Sequence, residues 1–127
     1  MILKLACAGT LVLGLSAPAR SETVRASWYG GGGERLNPYS ADGSLFNPRA
    51  LTAAHRTLPF GTRLRVCRAT DRRETGVFQR PMRCVVVRVN DRGPARWTGR
   101  VLDLSRAAAA VLGLTRIGVG VVSIERL

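Results

Sequence analysis

The sequence predicts one mainly β domain that closes into a six-stranded barrel with one or two short helices. β-Branched and aromatic residues cluster in short runs bounded by Gly, Pro, Asn and Asp, a pattern typical of strands joined by turns. A single stretch has helical composition. Six short strands favour a closed barrel, because closure removes exposed sheet edges. The strands are predicted over residues 24–29, 51–54, 63–67, 84–89, 100–104 and 119–126.

The helical stretch is SRAAAAVLGL. Ser105 is a favourable N-cap, and Gly113 stands where helices end in a left-handed conformation. We expect this helix to plug one end of the barrel with Val111 and Leu112. A second short helical turn is predicted at residues 47–48, where Asn can cap and Pro fits the first helical position.

The first 19 residues have the composition of a cleaved secretory signal. Lys4 precedes an apolar run over residues 5–15, and the small residues at 17–19 have the spacing that a signal peptidase accepts. The apolar run is too short to span a membrane comfortably, which favours export over anchoring. We therefore expect a signal peptide over residues 1–19, one domain over residues 20–127 and no stable membrane insertion after cleavage.

The chain is strongly basic, with 20 Lys and Arg residues against 8 acidic ones and a net charge of +12. Such a charge often marks nucleic-acid binding. The arginines are dispersed, however, with no long basic run, and an exported protein meets anionic envelope polymers first. We expect no nucleic-acid partner. An arginine-rich solvated surface is the alternative explanation for much of the charge.

Two cysteines, Cys67 and Cys84, remain once the signal containing Cys7 is removed. An even pair in an exported chain is typical of a disulfide. The flanking strings RLRVC and CVVVRV are strand-like, so the two sulfurs could face each other across one hairpin. Two buried free thiols are the alternative. With one histidine and no CxxC pair, neither a structural zinc site nor a cofactor is expected.

The most informative polar residue is Asp91, which ends a nearly continuous apolar strand and precedes Arg92. The string NDRG also suits a simple turn. Partial burial would raise the pKa of Asp91 and a close arginine would lower it, and the sequence leaves both possible. His55 is the only histidine. A lone histidine is more often structural than catalytic, so a functional role depends on whether the fold brings it near Asp91.

Four further residues have two interpretations each. Asp103 could favour the start of the helix through the helix dipole, or it could act in a site. Trp28 and Tyr29 could pack in the core or form an aromatic platform for a sugar ring. Trp97 lies in a polar loop beside the DRGP turn, where an exposed indole has more reason to bind a ligand than to pack.

Six strings follow one another along the chain: WYG at 28–30, a G-x-x-F-x-P step at 43–48, LTAAHRTLPFGT at 51–62, VVVRVNDRGP at 85–94, GRVLDLSRAAAAVLG at 99–113 and the closing VSIERL. In this order they resemble the rare lipoprotein A (RlpA) family. The resemblance implies a six-stranded double-psi β-barrel, as in expansins and certain endoglucanases. It also implies a monomeric lytic transglycosylase that cleaves peptidoglycan glycan strands, preferring strands stripped of stem peptides.

The resemblance places the family's catalytic pair on Asp91 and His55, and the aspartate of an expansin-like DLS string on Asp103. A lytic transglycosylase needs one acid/base, because the 6-hydroxyl of the muramic acid attacks its own anomeric carbon. Asp91 would fill this role with a pKa raised toward the working pH. His55 would orient Asp91, and Arg92 would hold the anionic lactyl group. The residues expected to bind substrate are Trp28, Tyr29, Asp42, Gly43, Asn90, Arg92, Trp97 and Asp103.

The string SADGS at 40–44 departs from the family pattern T-A-S-G-E, because Ser44 stands where relatives carry a glutamate. Asp42 could replace that carboxylate. The loss of the glutamate favours a rival function, a non-catalytic wall-binding module like the expansins that holds glycan through its aromatic side chains. The geometry should separate the two, since the enzyme requires Asp91 and His55 at the floor of one groove.

Overall fold

The computed structural model describes residue 9 and residues 21–30, 38–69 and 82–127. The six predicted strands are all present, each with bounds within three residues of the prediction. The predicted signal peptide, apart from Gly9, lies outside the described residues. The strands are β1 (Ser21–Tyr29), β2 (Thr52–His55), β3 (Arg63–Ala69), β4 (Met82–Asp91), β5 (Leu102–Ser105) and β6 (Gly120–Arg126), and the helix α1 is Arg106–Val111.

The strands form a closed barrel in the order β1-β5-β2-β4-β3-β6, which confirms the predicted closed β architecture. Two neighbouring pairs, β1 with β5 and β2 with β4, are parallel, and the other four are antiparallel. Closure pairs every strand on both sides, so the ring has no open edge. Among the described residues, no helix is both long and apolar enough to cross a membrane.

The barrel interior is filled by small and branched apolar side chains. Because side chains alternate along a strand, every second residue of β1, β3, β4 and β6 points inward. Each fully buried leucine or valine contributes about 1.5–3 kcal/mol relative to exposure. The apolar strand residues at 1 % exposure or less are Ala26, Ala53, Leu64, Val66, Val87, Val89, Leu102, Leu104 and Val122.

The helix α1 closes one end of the barrel, although with a different set of side chains from the one predicted. Ala108, Ala109 and Leu112 are fully buried, whereas Val111 is 45 % exposed. The prediction for Val111 was wrong because the face that meets the strands is defined by Ala108 and Leu112, four residues apart, and Val111 projects off it. Gly113 ends the helix with φ of 69°, as expected.

The second predicted helical turn, at residues 47–48, is a simple turn. The Asn47 side chain accepts a hydrogen bond from the Arg49 N–H at 2.9 Å, and the Asn47 carbonyl accepts one from the Ala50 N–H at 3.1 Å. These bonds close a tight turn over residues 47–50, and no helix follows it. The second helical segment is instead a 3-10 helix, Arg96–Thr98.

Cys67 and Cys84 form a disulfide across the β3–β4 pair, where they are direct partners. This confirms the expected bridge between two strands of one hairpin. The residues between the strands, 70–81, lie outside the described residues.

We expect Ser105→Ala to lower the free energy of unfolding by about 2 kcal/mol, because three hydrogen bonds converge on one fully buried hydroxyl. The Ser105 Oγ donates to the Ala50 carbonyl at 2.6 Å and accepts from the N–H groups of Thr52 and Ala108 at 3.3 Å each. Urea unfolding measures the loss. Ser21→Ala, at an exposed position, is the control, and equal effects of the two variants would contradict the prediction.

Candidate active site

Two carboxylates lie on one outer face of the barrel, in a row that crosses four strands. The register pairs Ser27 of β1 with Asp103 of β5, Asp103 with Ala54 of β2, and Ala54 with Asp91 of β4. Cross-strand partners point to the same side of a sheet. The small side chain of Ala54, itself buried, therefore separates Asp91 from Asp103.

Asp91 owes its outward direction to a β-bulge. Val89 pairs with Ala53, yet the next residue of β2, Ala54, pairs with Asp91, so Asn90 is the extra residue. In a regular strand Asp91 would point inward like Val89, two positions earlier. The bulge reverses this and turns the carboxylate toward solvent.

Residues 38–50 pass over this face and hold Asp91 in place. The Ala41 N–H donates to Asp91 Oδ1 at 3.0 Å, and the Asp42 N–H donates to the Asn90 carbonyl at 3.1 Å. The Phe46 ring packs on Tyr29 with 5.2 Å between ring centroids. A glycine is required after the tyrosine, because Gly30 has φ of 88° and a Cβ there would lie 2.9 Å from the Phe46 ring.

The two oxygens of Asp91 have different surroundings. Oδ1 accepts the Ala41 N–H and also the Arg92 N–H at 2.9 Å, whereas Oδ2 receives no hydrogen bond from the described residues. The residue as a whole is half-buried. One oxygen thus fixes the side chain, and the other can exchange a proton with a ligand.

Tyr29 lies beneath both carboxylates, on the same face of β1 as Ser27. Burial raises the pKa of the Tyr29 hydroxyl to about 12; the Thr52 side chain opposes the rise, and the charges of Asp91 and Asp103 add to it. The hydroxyl therefore stays protonated beside the two acids. Asp103 in turn accepts a hydrogen bond from Ser27 Oγ at 3.0 Å.

Buried polar atoms without a geometrically sound hydrogen bond gather around Asp91. Within the described parts of the chain they are the Tyr29 hydroxyl, Ser40 Oγ and Asn90 Oδ1. Thr52 lies beside the Tyr29 hydroxyl but outside good hydrogen-bond geometry. Native proteins pair almost all such atoms, so their gathering at one place is typical of a functional site.

His55 points away from Asp91. It follows Ala54 in β2 and so faces the opposite side of the sheet, toward a cavity of about 200 Å³ at the end of the barrel, which Glu22 and Leu64 also line. Its Nδ1 accepts the N–H groups of Thr57 and Leu58 at 3.1 Å each. The expected hydrogen bond between His55 and Asp91 is not formed between these two described residues, because the bulge at Asn90 turns Asp91 outward.

Protonation of His55 should weaken the fold. Burial lowers its pKa most, Arg56 and Arg92 lower it further, and Glu22 opposes them. The unfolded chain, with an ordinary pKa of about 6.5, then binds a proton before the folded one does. Stability is complete above that pKa and is lost as the pH falls through the lower folded pKa.

The melting temperature should therefore fall more between about pH 8 and about pH 5 for the native chain than for His55→Asn. Asparagine can accept the same backbone N–H groups but does not titrate. Scanning calorimetry at several pH values measures the difference. Parallel curves for the two proteins would show that His55 contributes nothing to the acid sensitivity.

Arg92 and Arg56 brace the turn that follows β2. Arg92 Nη1 donates to the carbonyls of His55 at 3.2 Å and Leu58 at 2.7 Å, and its guanidinium lies 3.9 Å from the centroid of the Phe60 ring. Arg56 Nη1 donates to the carbonyls of Pro94 at 2.9 Å and Arg100 at 2.8 Å. Arg92 thus holds the turn after β2 against the end of β4, next to Asp91.

The remaining predicted residues are divided between the site and other places. Asn90 and Gly43 belong to it, Asn90 as the bulged residue and Gly43 with φ of 88° in the covering loop. Trp97 is 88 % exposed on the 3-10 helix. Trp28 packs against the core, on the face of β1 opposite to Tyr29, and therefore does not share a face with Asp91 and Asp103.

Asp42 and Ser44 form a local pair in the covering loop. Asp42 Oδ1 accepts the Ser44 N–H at 2.9 Å and also the Ser44 hydroxyl. These side-chain and backbone hydrogen bonds hold the pKa of Asp42 below its ordinary value. The carboxylate of Asp42 is thus engaged with Ser44, and it stays exposed.

Sequence reasoning missed Ser27, Ala54 and the role of the Tyr29 hydroxyl. Their signal lies in the strand register, which joins residues far apart in the chain. No cluster of three or more His, Cys, Asp or Glu side chains that could hold a metal ion occurs in the described part of the chain.

The ring order and the parallel β1–β5 and β2–β4 pairs define a double-psi β-barrel protein, with two carboxylates on one outer face. A family model described as lytic transglycolase matches residues 21–124. The chain therefore belongs to this family of RlpA-like proteins.

Relatives of known name agree with this assignment. A probable endolytic peptidoglycan transglycosylase RlpA of Nostoc sp. is 51% identical over 102 residues, covering 80% of this chain and 24% of the relative. The endolytic peptidoglycan transglycosylase RlpA of Rickettsia bellii is 40% identical over 108 residues, covering 84% of this chain and 43% of its own length. The chain thus spans less than half the length of these relatives.

The structure of Streptomyces papain inhibitor resembles the chain with a TM-score of 0.58 at 20% identity, covering 87% of this chain and 97% of the inhibitor. At this identity the likeness concerns the fold alone.

Proposed function

We propose that the protein is a peptidoglycan lytic transglycosylase that cleaves the bond between N-acetylmuramic acid and N-acetylglucosamine and leaves a 1,6-anhydro-muramic product. The observation that carries the proposal is Asp91, a half-buried carboxylate with Oδ1 fixed by two N–H groups and Oδ2 without a hydrogen bond from the described residues. The RlpA relatives, named as endolytic peptidoglycan transglycosylases, support the substrate class.

Asp91 acts first as acid and then as base. Its Oδ2 gives a proton to the glycosidic oxygen while the bond from that oxygen to the anomeric carbon breaks. The 6-hydroxyl oxygen of the same muramic acid then bonds to the anomeric carbon, and its proton returns to Asp91. No water is consumed, and a group that transfers a proton in this way contributes about 10²- to 10⁴-fold in rate.

Asp103 provides a second negative charge on the same face. Two strand spacings separate the α-carbons of Asp91 and Asp103, roughly 10 Å. Asp103, held by Ser27, stabilises the positive charge that develops on the sugar ring, while the 6-hydroxyl serves as nucleophile. Tyr29 lies close to both acids, and Asn90 directly precedes Asp91. The exposed ring of Trp97 offers a stacking surface for a sugar farther along the glycan strand.

His55 and Arg92 act as positioning residues. His55 fixes the turn after β2 through its Nδ1, and Arg92 clasps the same turn through two carbonyls. Because Arg92 directly follows Asp91, a shift of this turn would displace the acid.

The proposed setting is the cell wall. Residues 1–19 act as a cleaved signal, and the exported domain works as a monomer in the periplasm or outside the cell. Without Lys4 the exported domain has 19 basic residues against 8 acidic ones, a net charge of +11, which favours association with an anionic wall over free diffusion.

Mass spectrometry of products from purified sacculi and from denuded glycan strands tests the proposal. Anhydro-muramic ends are expected from a transglycosylase, whereas reducing ends would show a hydrolase. A protein that releases no product yet pellets with the glycan would be a wall-binding module. The separation of His55 from Asp91 and the exposed Trp97 are the observations that favour this second function.

A further inference from the structure

A depression lined by two exposed arginines lies beside a third exposed arginine, Arg88. The depression has a volume of about 390 Å³ and is lined by Arg63, Arg126 and the turn from Pro59 to Thr62. Arg88 stands directly across from Arg63 in the β3–β4 pair. Concave surfaces with converging charged groups are the usual places for a ligand.

The pairing of Arg63 with Arg88 is unfavourable unless an anion joins it. Their chain neighbours Leu64 and Val87 belong to the core, so both arginines point outward on one face. Like charges directly opposite each other in a sheet repel. The nearby Arg65 has a carboxylate of its own, Glu125 at 3.7 Å.

Arg63, Arg88 and Arg126 have no carboxylate as close as this. Among the described residues, none of the three side chains forms an ion pair or a hydrogen bond. The charge of Arg88 helps to lower the pKa of Asp42, and Glu22 lines a second cavity together with Arg126. The positive potential over the depression is therefore only partly neutralised by the described acids.

This cationic cluster is continuous with the candidate active site. Arg88 pairs with Thr52, which lies beside the Tyr29 hydroxyl. Because of the bulge at Asn90, Arg88 and Asp91 lie opposite residues of β2 that are two positions apart, which corresponds to roughly 7 Å along the strand. A glycan strand laid across Asp91 can thus extend over Arg88 toward Arg63.

Arg92 has a structural task besides the lactyl contact expected from the sequence. Its Nη1 is engaged with the carbonyls of His55 and Leu58, and its guanidinium stacks on Phe60, which lines the depression. Arg92 therefore builds a wall of the cationic depression, and the arginines across it remain available for an anion.

We propose that Arg63, Arg88 and Arg126 form a subsite that binds a carboxylate of the glycan strand. The carboxylate belongs either to the lactyl group of a muramic acid or to a stem peptide. Guanidinium groups suit this task because they form paired, charge-assisted hydrogen bonds with carboxylates. The subsite rests on the proposed function for the identity of the strand, but it concerns binding and not bond cleavage.

Binding measurements on the Asp91→Asn background test the subsite without turnover. Isothermal titration gives the Kd for three probes, namely denuded glycan strands, strands that keep their stem peptides, and chitin oligosaccharides of equal length, which have no carboxylate. Arg63→Gln with Arg88→Gln is the test variant. Arg65→Gln is the matched control, since it removes one exposed arginine charge from the same strand. Circular dichroism confirms that each variant is folded.

The double variant should bind denuded strands about tenfold more weakly, with chitin binding and the Arg65→Gln control unchanged. A loss confined to strands with stem peptides would also support the subsite and would assign the carboxylate to the peptide. Equal losses on chitin, or no loss on either carboxylate-bearing probe, would overturn it. A protein with this binding pattern that forms no anhydro product would contradict the proposed function alone.

Discussion

Asp91→Asn is expected to lower the rate of anhydro-muramic product formation about a thousandfold, with little change in stability. Asparagine keeps an oxygen that can accept the N–H groups of Ala41 and Arg92, so the covering loop should stay in place. It can neither give a proton to the glycosidic oxygen nor take one from the 6-hydroxyl. Mass spectrometry of timed digests of denuded strands measures the rate, and thermal melting checks the fold.

Glu125→Gln is the control for this experiment, because it removes a carboxylate from the outside of β6, where Glu125 contacts Arg65. Its rate should match that of the native chain. If Asp91→Asn retained more than about a tenth of the activity, the assignment of the acid/base to Asp91 would be wrong. The carboxylate of Asp103, on the same face, would then be the next to test.

Reduction of the Cys67–Cys84 disulfide is expected to lower the free energy of unfolding by about 3 kcal/mol. The bond closes a loop between residues 17 positions apart, and in the chain-entropy account its loss returns freedom mainly to the unfolded state. For a domain of this size the melting temperature should fall by on the order of 10–20 °C. Scanning calorimetry with and without a thiol reductant measures the shift.

The double variant Cys67→Ala, Cys84→Ala separates this effect from other actions of the reductant. It should melt close to the reduced native chain, and reductant should not change it further. An unchanged melting temperature in the native chain after complete reduction, verified by thiol titration, would rule out a stabilising role for the bond.

Most of the fold can be predicted from local sequence. The alternation of apolar and polar residues in β6 and β3, the Ser105 cap and the Cys67–Cys84 pair all act over short distances or through a unique partner. Val111 was misjudged because composition shows that a helix forms but not which of its faces meets the barrel. The short turn expected at residues 47–48 is present and is capped by the Asn47 side chain, but it does not continue into a helix.

The site was predictable in its residues but not in their directions. Asp91 and Asp103 are visible in the sequence, yet their common face follows from pairings between strands far apart in the chain. The bulge at Asn90 is decisive. Simple alternation from Val89 would place Asp91 inward, on the same side as His55, and a single extra residue reverses that. The residues of the VNDRG string do not by themselves predict a bulge.

The ring order also governs when the protein can fold. β1 needs both β5 and β6 as neighbours, so it has no partner until residues 102–126 have been synthesised. Pairings of such long sequence separation form slowly, because loop entropy is lost before any contact is gained. The nascent chain should consequently leave the ribosome extended and accessible to chaperones. If the chain is exported as proposed, this delay keeps it unfolded, and so able to pass through a translocation channel, until it has crossed the membrane.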